Sequence, residues 1–366
     1  MLNIYWLWIL YTIVFLTFDY YKNQKYKNNI IYFTFILLIF FVGFRYESVD
    51  YELYSKIFNS QSFENINFPF YSKGDGAKEF LFSSIISTFK GLNLNYGFFI
   101  FTFAFVSILI KFYYIKKYSP YFFLSFLIFL VFIFAKEMGQ FRNAMISAII
   151  LIAIFPLIKR NFFWYLAIVF LSSGIHIFSL IALPIYFIYP FLRNKNVSKV
   201  ILVIGLAIFL IGGLFSYIYS ISNIFGEVIH SKLTYYYTIR EFKPLSFNIF
   251  NLSLLFFGIL FIIFKDMFIK KDSFEEGLYV YFIYSLFLYF VFCDVSTVGV
   301  RALNYLAFMP LVILIPLFIS KIQIDKLRFF TYLMIVIYCI INFYPTQKSM
   351  EKYKNVLFEK DFNSQT

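Results

Sequence analysis

The sequence predicts an all-α protein that crosses a membrane many times. Three observations carry this: 61% of the 366 residues are hydrophobic and only 14% charged, mean hydropathy is +0.78, and long, nearly uncharged runs recur from end to end. Soluble domains average about half apolar and a quarter charged residues, and such runs are what a helix needs to cross hydrocarbon. A water-soluble enzyme, a disordered chain and a disulfide scaffold are excluded, and the lipid bilayer is the first expected partner. The net charge of +13 would suggest nucleic acid in a soluble protein. In a membrane protein it reflects basic cytoplasmic loops, so no nucleic-acid partner is expected. Cys293 and Cys339 lie far apart in apolar surroundings and imply neither a disulfide nor a metal site. The abundance of Phe (57) and Tyr (32), with Ile, Asn and Lys, reads as an AT-rich coding bias, so an aromatic stripe here says little about binding.

Taken in order, ten runs are long enough to be full spans: Ile4–Phe18, Asn28–Phe44, Tyr96–Ile115, Tyr118–Ala135, Asn143–Ile158, Lys199–Tyr219, Phe247–Phe264, Leu278–Cys293, Arg301–Ile319 and Phe329–Tyr344. No basic region precedes the first run, which reads as a retained span rather than a cleaved signal. Phe162–Ser173 and His176–Phe191 are too short for two complete crossings and form either one long span or a hairpin turning at Gly174. Charge parity selects the hairpin. With it, the segments 19–29, 116–117, 159–161, 192–198, 265–277 and 320–328 share one side and hold 15 Lys or Arg in 45 residues, against 14 in 114 on the other side. A single span would break the positive-inside rule. Glu79–Gly91 is apolar but short, and counting it as a crossing would invert everything downstream; it reads as an outer re-entrant or interfacial helix. Both termini then lie outside, within one integral membrane domain over 1–366 whose main outer loops are 45–95 and 220–246. No internal repeat is evident.

Most lysines follow the orientation rule, but arginine departs from it. Arg160, Arg193 and Arg328 fall inside, whereas Arg45, Arg142, Arg240 and Arg301 fall outside, three of them at the membrane edge. A planar, permanently charged guanidinium suits phosphate recognition, so Arg45, Arg142 and Arg301 are a candidate anion site; the bland alternative is snorkelling anchors. His176, in Ser-Ser-Gly-Ile-His within an apolar hairpin, is either a hydrogen-bonded structural residue or a functional one at the tip. The stretch from Gly43 to Tyr54 places Arg45, Glu47, Asp50 and Tyr54 directly after a span. Asp50 and Glu47 supply a general base or pair with Arg45. Glu79 opens the short outer helix, and Lys136–Arg142 forms another charged cluster at the surface. No Walker loop, dinucleotide fingerprint or zinc motif is present, and no cofactor is expected.

Three segments resemble the EpsG-like branch of the Wzy-type polysaccharide polymerases: Gly43-Phe-Arg45 with Asp50-Tyr51 and Tyr54; Gln140-Phe-Arg142-Asn-Ala144; and Gly174-Ile-His176 continuing through Pro184 and Tyr186. Arg301 with Asn304 and Tyr305 resembles the family's late Arg…Tyr pair more loosely. The resemblance implies a polymerase of O-antigen, capsule or exopolysaccharide on the outer face of the bacterial cytoplasmic membrane. Such an enzyme joins oligosaccharide repeats carried on undecaprenyl pyrophosphate, and its partners include a chain-length regulator. On that expectation Arg45, Arg142 and Arg301 stabilise the departing pyrophosphate, Asp50 or His176, with Glu79 third, serves as base, and Tyr54 stacks on sugar. Tyr235–Tyr237 are further stacking candidates. The rival readings are an O-antigen ligase, with the same donor and another acceptor, and a flippase. A transporter should show repeated halves and polar groups near the midplane, whereas here the ionisable residues crowd one face.

Overall fold

A computed structural model describes residues 4–19, 24–46, 48, 50–60, 79–220, 230, 234, 248–348, 350 and 354–355. The helices are α1 (Ile4–Phe15, extended by a 3-10 turn to Asp19), α2 (Gln24–Gly43), α3 (Tyr51–Ser60), α4 (Phe80–Gly91), α5 (Tyr96–Tyr118), α6 (Phe122–Phe132), α7 (Phe134–Gly139), α8 (Phe141–Ile158) and α9 (Phe162–Ile175). After a 3-10 turn at Ile177–Ala182 come α10 (Ile185–Leu192), α11 (Lys195–Leu210), α12 (Phe215–Ser220), α13 (Ile249–Phe268), α14 (Phe274–Val291), α15 (Ser296–Ala302), a π-helical turn at Leu303–Ala307, α16 (Phe308–Ser320) and α17 (Asp325–Lys348). The one extended pairing among the described residues is two residues long, with β1 (Arg45–Tyr46) antiparallel to β2 (Lys354–Asn355).

The protein is an all-α, multi-pass membrane protein. Seven helical stretches are long and apolar enough to cross, namely Tyr26–Gly43, Tyr96–Tyr118, Phe141–Ile158, Ile249–Phe268, Phe274–Val291, Thr297–Ser320 and Asp325–Lys348. Each coincides with an expected span. The other three expected spans are interrupted. Ile4–Asp19 ends in a 3-10 turn whose Asp19 carboxylate accepts from the Phe123 and Leu124 N–H groups, capping α6 from another segment. The run over Tyr118–Ala135 starts only after Pro120 and breaks at Ile133, leaving α6 with 11 residues and α7 as a separate turn. The run over Lys199–Tyr219 stops at Leu210, because Gly212 and Gly213 take φ of +96° and +93°, open to glycine but costly for side chains. In the other direction, α17 carries Pro345 and continues past the expected end at Tyr344 to Lys348.

The hairpin expected at Gly174 is present. α9 and the segment that follows run back on one another: Tyr165 Oη donates to the Ala182 carbonyl at 2.6 Å, the Phe162 and Tyr186 rings lie 5.1 Å apart, and Tyr186 Oη donates to the Arg160 carbonyl. The expected short helix after Glu79 is α4, which buries Phe82, Ser83, Ile86 and Ser87.

Internal contacts group the chain into two compact units, the first comprising Met1–Ala153, Leu166–Leu180 and Leu311–Thr366 and the second Ile154–Tyr165 and Ile181–Pro310. In the first, α2 packs along α5, and α6 packs against α1 and α17. Every residue of α6 is buried, which suits a helix that is apolar all round. In the second, α14 is central, packed by α11, α13, α10, α15 and the π-helical turn.

One sequence expectation is overturned here. Lys136–Arg142 is not a charged cluster at the surface, because Glu137, Met138 and Gly139 are buried. Glu137 accepts from Lys111 Nζ at 2.5 Å, and Lys111 also donates to Ser107 Oγ at 3.0 Å and the Ala144 carbonyl at 2.8 Å. A lysine inside a span is expensive unless its donors are used, and this network uses three of them. The network ties α5 to α7 and to the first turn of α8.

Candidate functional site

The first unit gathers most of the expected site residues around one break in the hairpin. α9 ends at Ile175 and the 3-10 turn begins at Ile177, so the backbone between them leaves a terminal carbonyl and an early N–H without helical partners. Side chains from two other helices complete both. Arg142, in the first turn of α8, donates from Nε and Nη2 to the Ile175 carbonyl at 3.0 and 2.5 Å. Glu79, at the N-cap of α4, accepts from the Ile177 N–H through Oε1 at 3.2 Å. The two side chains are paired directly, Arg142 Nη2 donating to Glu79 Oε2. Glu79 makes no cap bond to its own helix, because its carboxylate is turned toward the hairpin tip.

His176 stands at the centre of this break. Its Nδ1 accepts from the Phe178 N–H at 3.3 Å and lies 3.9 Å from Glu79 Oε1. An Nδ1 that accepts leaves Nε2 as the donor; with the proton on Nδ1 facing Glu79, Nε2 becomes the acceptor. Gly174, two residues earlier, lets the tip lie directly on α4. A Cβ placed there would stand 2.7 Å from the Leu81 Cβ.

Aromatic rings wall the guanidinium. Arg142 Cζ lies 4.4 Å from the Phe82 centroid and 5.9 Å from that of Tyr54, whose ring is 4.5 Å from Phe141. Burial pushes the Tyr54 phenol above its usual range, Arg142 pulls it partly back, and Asp50 and Glu79 push it further up. Asp50 therefore acts on the same ring as Arg142 and Glu79. At the other end of α3, Phe58 packs on Tyr96, the first residue of α5, whose Oη donates to the Tyr51 carbonyl at 3.1 Å. Arg45 is buried where α2 ends, its Nη1 donating to the Val42 carbonyl at 2.5 Å, and its backbone pairs with Asn355. Arg45, Tyr54, Glu79, Arg142 and His176 all lie in segments that charge parity puts on one side.

Chemically, this is a carboxylate held between a guanidinium and a backbone N–H, with an imidazole alongside. Both carboxylate oxygens already accept from donors, and Oε1 also faces the ring, so Glu79 is placed to orient the imidazole.

A family model, that of the EpsG family, matches residues 28–356. The chain belongs to the EpsG family. It is thus a multi-pass membrane protein of polysaccharide biosynthesis, of the polymerase type. No curated protein and no solved structure matches it.

In this EpsG-family chain Arg301 lies in the second unit, in the last turn of α15. It is followed by the π-helical turn that holds the buried Asn304 and Tyr305. Single π turns inside longer helices recur at functional positions. Glu47, Arg240 and Tyr235–Tyr237 fall outside the described residues. Sequence reasoning named Arg142, Glu79 and His176 separately but missed their mutual pairing and the Ile175–Ile177 backbone that Arg142 and Glu79 hold. It also missed Lys111 and Glu137; a lone lysine in the apolar run Ile108–Ile115 was the signal.

Proposed function

We propose that this protein polymerises oligosaccharide repeats carried on undecaprenyl pyrophosphate into O-antigen, capsule or exopolysaccharide at the outer face of the bacterial cytoplasmic membrane, acting as one integral membrane domain. The growing chain leaves its lipid pyrophosphate and is transferred to a hydroxyl of the incoming lipid-linked unit. The observation that carries this reading is the Arg142–Glu79–His176 arrangement at the hairpin tip, in a chain of the EpsG family. An acceptor hydroxyl needs a proton acceptor, and a departing pyrophosphate needs fixed positive charge.

In this reading the Phe178 N–H releases Nδ1, which then carries the proton and directs it to Glu79, and His176 receives the acceptor proton at Nε2. The 3.9 Å separation closes when substrate seats, as catalytic hydrogen bonds do on forming the reactive complex. Glu79 orients the imidazole and stabilises its protonated form. Arg142 has a double task, holding the tip and placing charge beside the leaving group. Arg45 is assigned to the same phosphate, and Tyr54 to a face of the sugar. Asp50 is the competing base, set beside the same tyrosine. Arg301 is assigned to phosphate on its chemistry alone. A chain-length regulator is the expected protein partner.

The test is the glycan of cells lacking this gene, resolved by size on a gel. Single repeats in place of long polymer support the polymerase. Polymer of normal length with none on its final acceptor would replace this reading with a ligase, and loss of even the externalised single repeat would replace it with a flippase. In the complemented strain, polymer lost with His176→Gln but kept with Asp50→Asn identifies His176 as the base; the converse result moves that role to Asp50.

A further inference from the structure

A groove of about 430 Å³ runs between α2 and α5, far from the hairpin tip. Ile31 and Phe35 from α2 and Leu109 and Phe112 from α5 form its apolar part, and Tyr32, Tyr113, Lys116 and Lys117 supply its polar lining toward the end of α5. Tyr96, at the opposite end of α5, bonds to the α3 backbone beside the site. Twenty residues of helix, about 30 Å, separate it from Lys116, so the groove mouth sits at the other membrane surface. That surface is the one charge parity puts in the cytoplasm. The groove faces outward from the first unit, with Leu109, Tyr32 and Tyr113 exposed in positions that meet lipid.

The polar end is built for an anion. Lys116 Nζ donates to Tyr32 Oη at 2.6 Å and stands 4.0 Å from that ring's centroid; Lys117 Nζ donates to Tyr113 Oη at 3.2 Å. Each phenol accepts from its lysine and therefore keeps its own O–H to give. Two ammonium groups and two hydroxyls thus line one groove at headgroup depth, beside an apolar stretch about 10 Å long measured from Leu109 to Lys116. We propose that this groove seats one anionic phospholipid of the cytoplasmic leaflet, with an acyl chain between α2 and α5 and its phosphate on Lys116, Lys117 and the two tyrosines. Charge complementarity selects the class: a zwitterionic headgroup would bring its own cation against two lysines, whereas basic pockets between spans on this side favour acidic lipids. The groove lies away from the candidate site, so this binding stands or falls independently of the proposed polymerase activity.

The test uses the full-length protein in mild detergent, incubated with phosphatidylglycerol or phosphatidylcholine of identical chains, with retained lipid counted by native mass spectrometry. The wild type should retain phosphatidylglycerol about tenfold or more over phosphatidylcholine. Lys116→Gln with Lys117→Gln should bring that ratio close to one, and Leu109→Trp, which fills the groove, should lower retention of both lipids. A control pair on another cytoplasmic segment, Lys321→Gln with Lys326→Gln, should leave the ratio unchanged. All these positions are exposed or half-buried, and monodisperse elution checks each variant's fold. Equal retention of the two lipids by the wild type, an unchanged ratio in the Lys116/Lys117 variant, or an equal fall in the control pair would each overturn the proposal.

Discussion

Replacing Arg142 by lysine keeps the positive charge and removes the fork. Arginine now bonds the Ile175 carbonyl through two nitrogens while pairing with Glu79. A lysine ammonium on a single stem reaches one of these acceptors well, so at least one charged hydrogen bond is lost. Such bonds are worth about 1.5–3 kcal/mol each, which corresponds to a roughly 10- to 150-fold shift in the equilibrium between a docked and an undocked hairpin tip. The loss is local, so the protein should still accumulate in the membrane. Two readouts follow it. Hydrogen exchange in detergent should show Ile177 and Phe178 losing protection by about the same factor, because the Ile177 N–H is protected only while Glu79 stays in place. Polymer from the complemented deletion strain should fall by about one to two orders of magnitude, since a displacement of about 1 Å at a reacting group is enough for that. Glu79→Gln should produce the same two effects, and the double variant should be less than additive, as expected for residues that share one contact. Wild-type protection at Ile177 in Arg142→Lys would show that the tip does not depend on this pair. Full-length polymer at the wild-type level would remove Arg142 from the mechanism.

Two other predictions concern packing. Gly174→Ala should lower stability by about 1–3 kcal/mol, because the added methyl meets the Leu81 Cβ, which sits close to a rigid backbone; a fall of several degrees in the melting temperature checks it. Lys111→Met strands the Glu137 carboxylate in the protein interior and should cost about 3–5 kcal/mol, whereas Lys111→Met with Glu137→Met should recover most of that, measured by thermal unfolding in detergent.

The helices were legible because bilayer thickness sets a length that apolar runs must match, and the hairpin was legible because six basic segments had to share one side. What hid the rest was distance along the chain. Glu79 and Arg142 are 63 residues apart, and nothing in either neighbourhood names the other. Glu137 sits in Phe-Ala-Lys-Glu-Met-Gly, which reads as a polar turn between spans; only its pairing with Lys111, 26 residues earlier, turns it inward. The early end of α11 was written in Gly212-Gly213, but two glycines in an apolar run fit a continuous span equally well until their backbone angles are known. The candidate residues themselves were found by a simple contrast, since arginines at the membrane edge and a histidine in an apolar hairpin are both costly to keep there without partners.

The short ladder between β1 and β2 bears on how the chain is made. Arg45 and Tyr46 leave the ribosome early, but their strand partners, Asn355 and Lys354, follow about 310 residues later. Glu79 and Arg142 both precede the hairpin tip they hold, so a nascent chain can dock the tip as soon as it emerges. Arg45 has no such advantage, because its backbone is pinned only after every span has been inserted. A stalled or clipped chain ending before residue 354 would hold an assembled tip but lack the strand that pairs with Arg45, so the two parts of this unit are completed at opposite ends of translation.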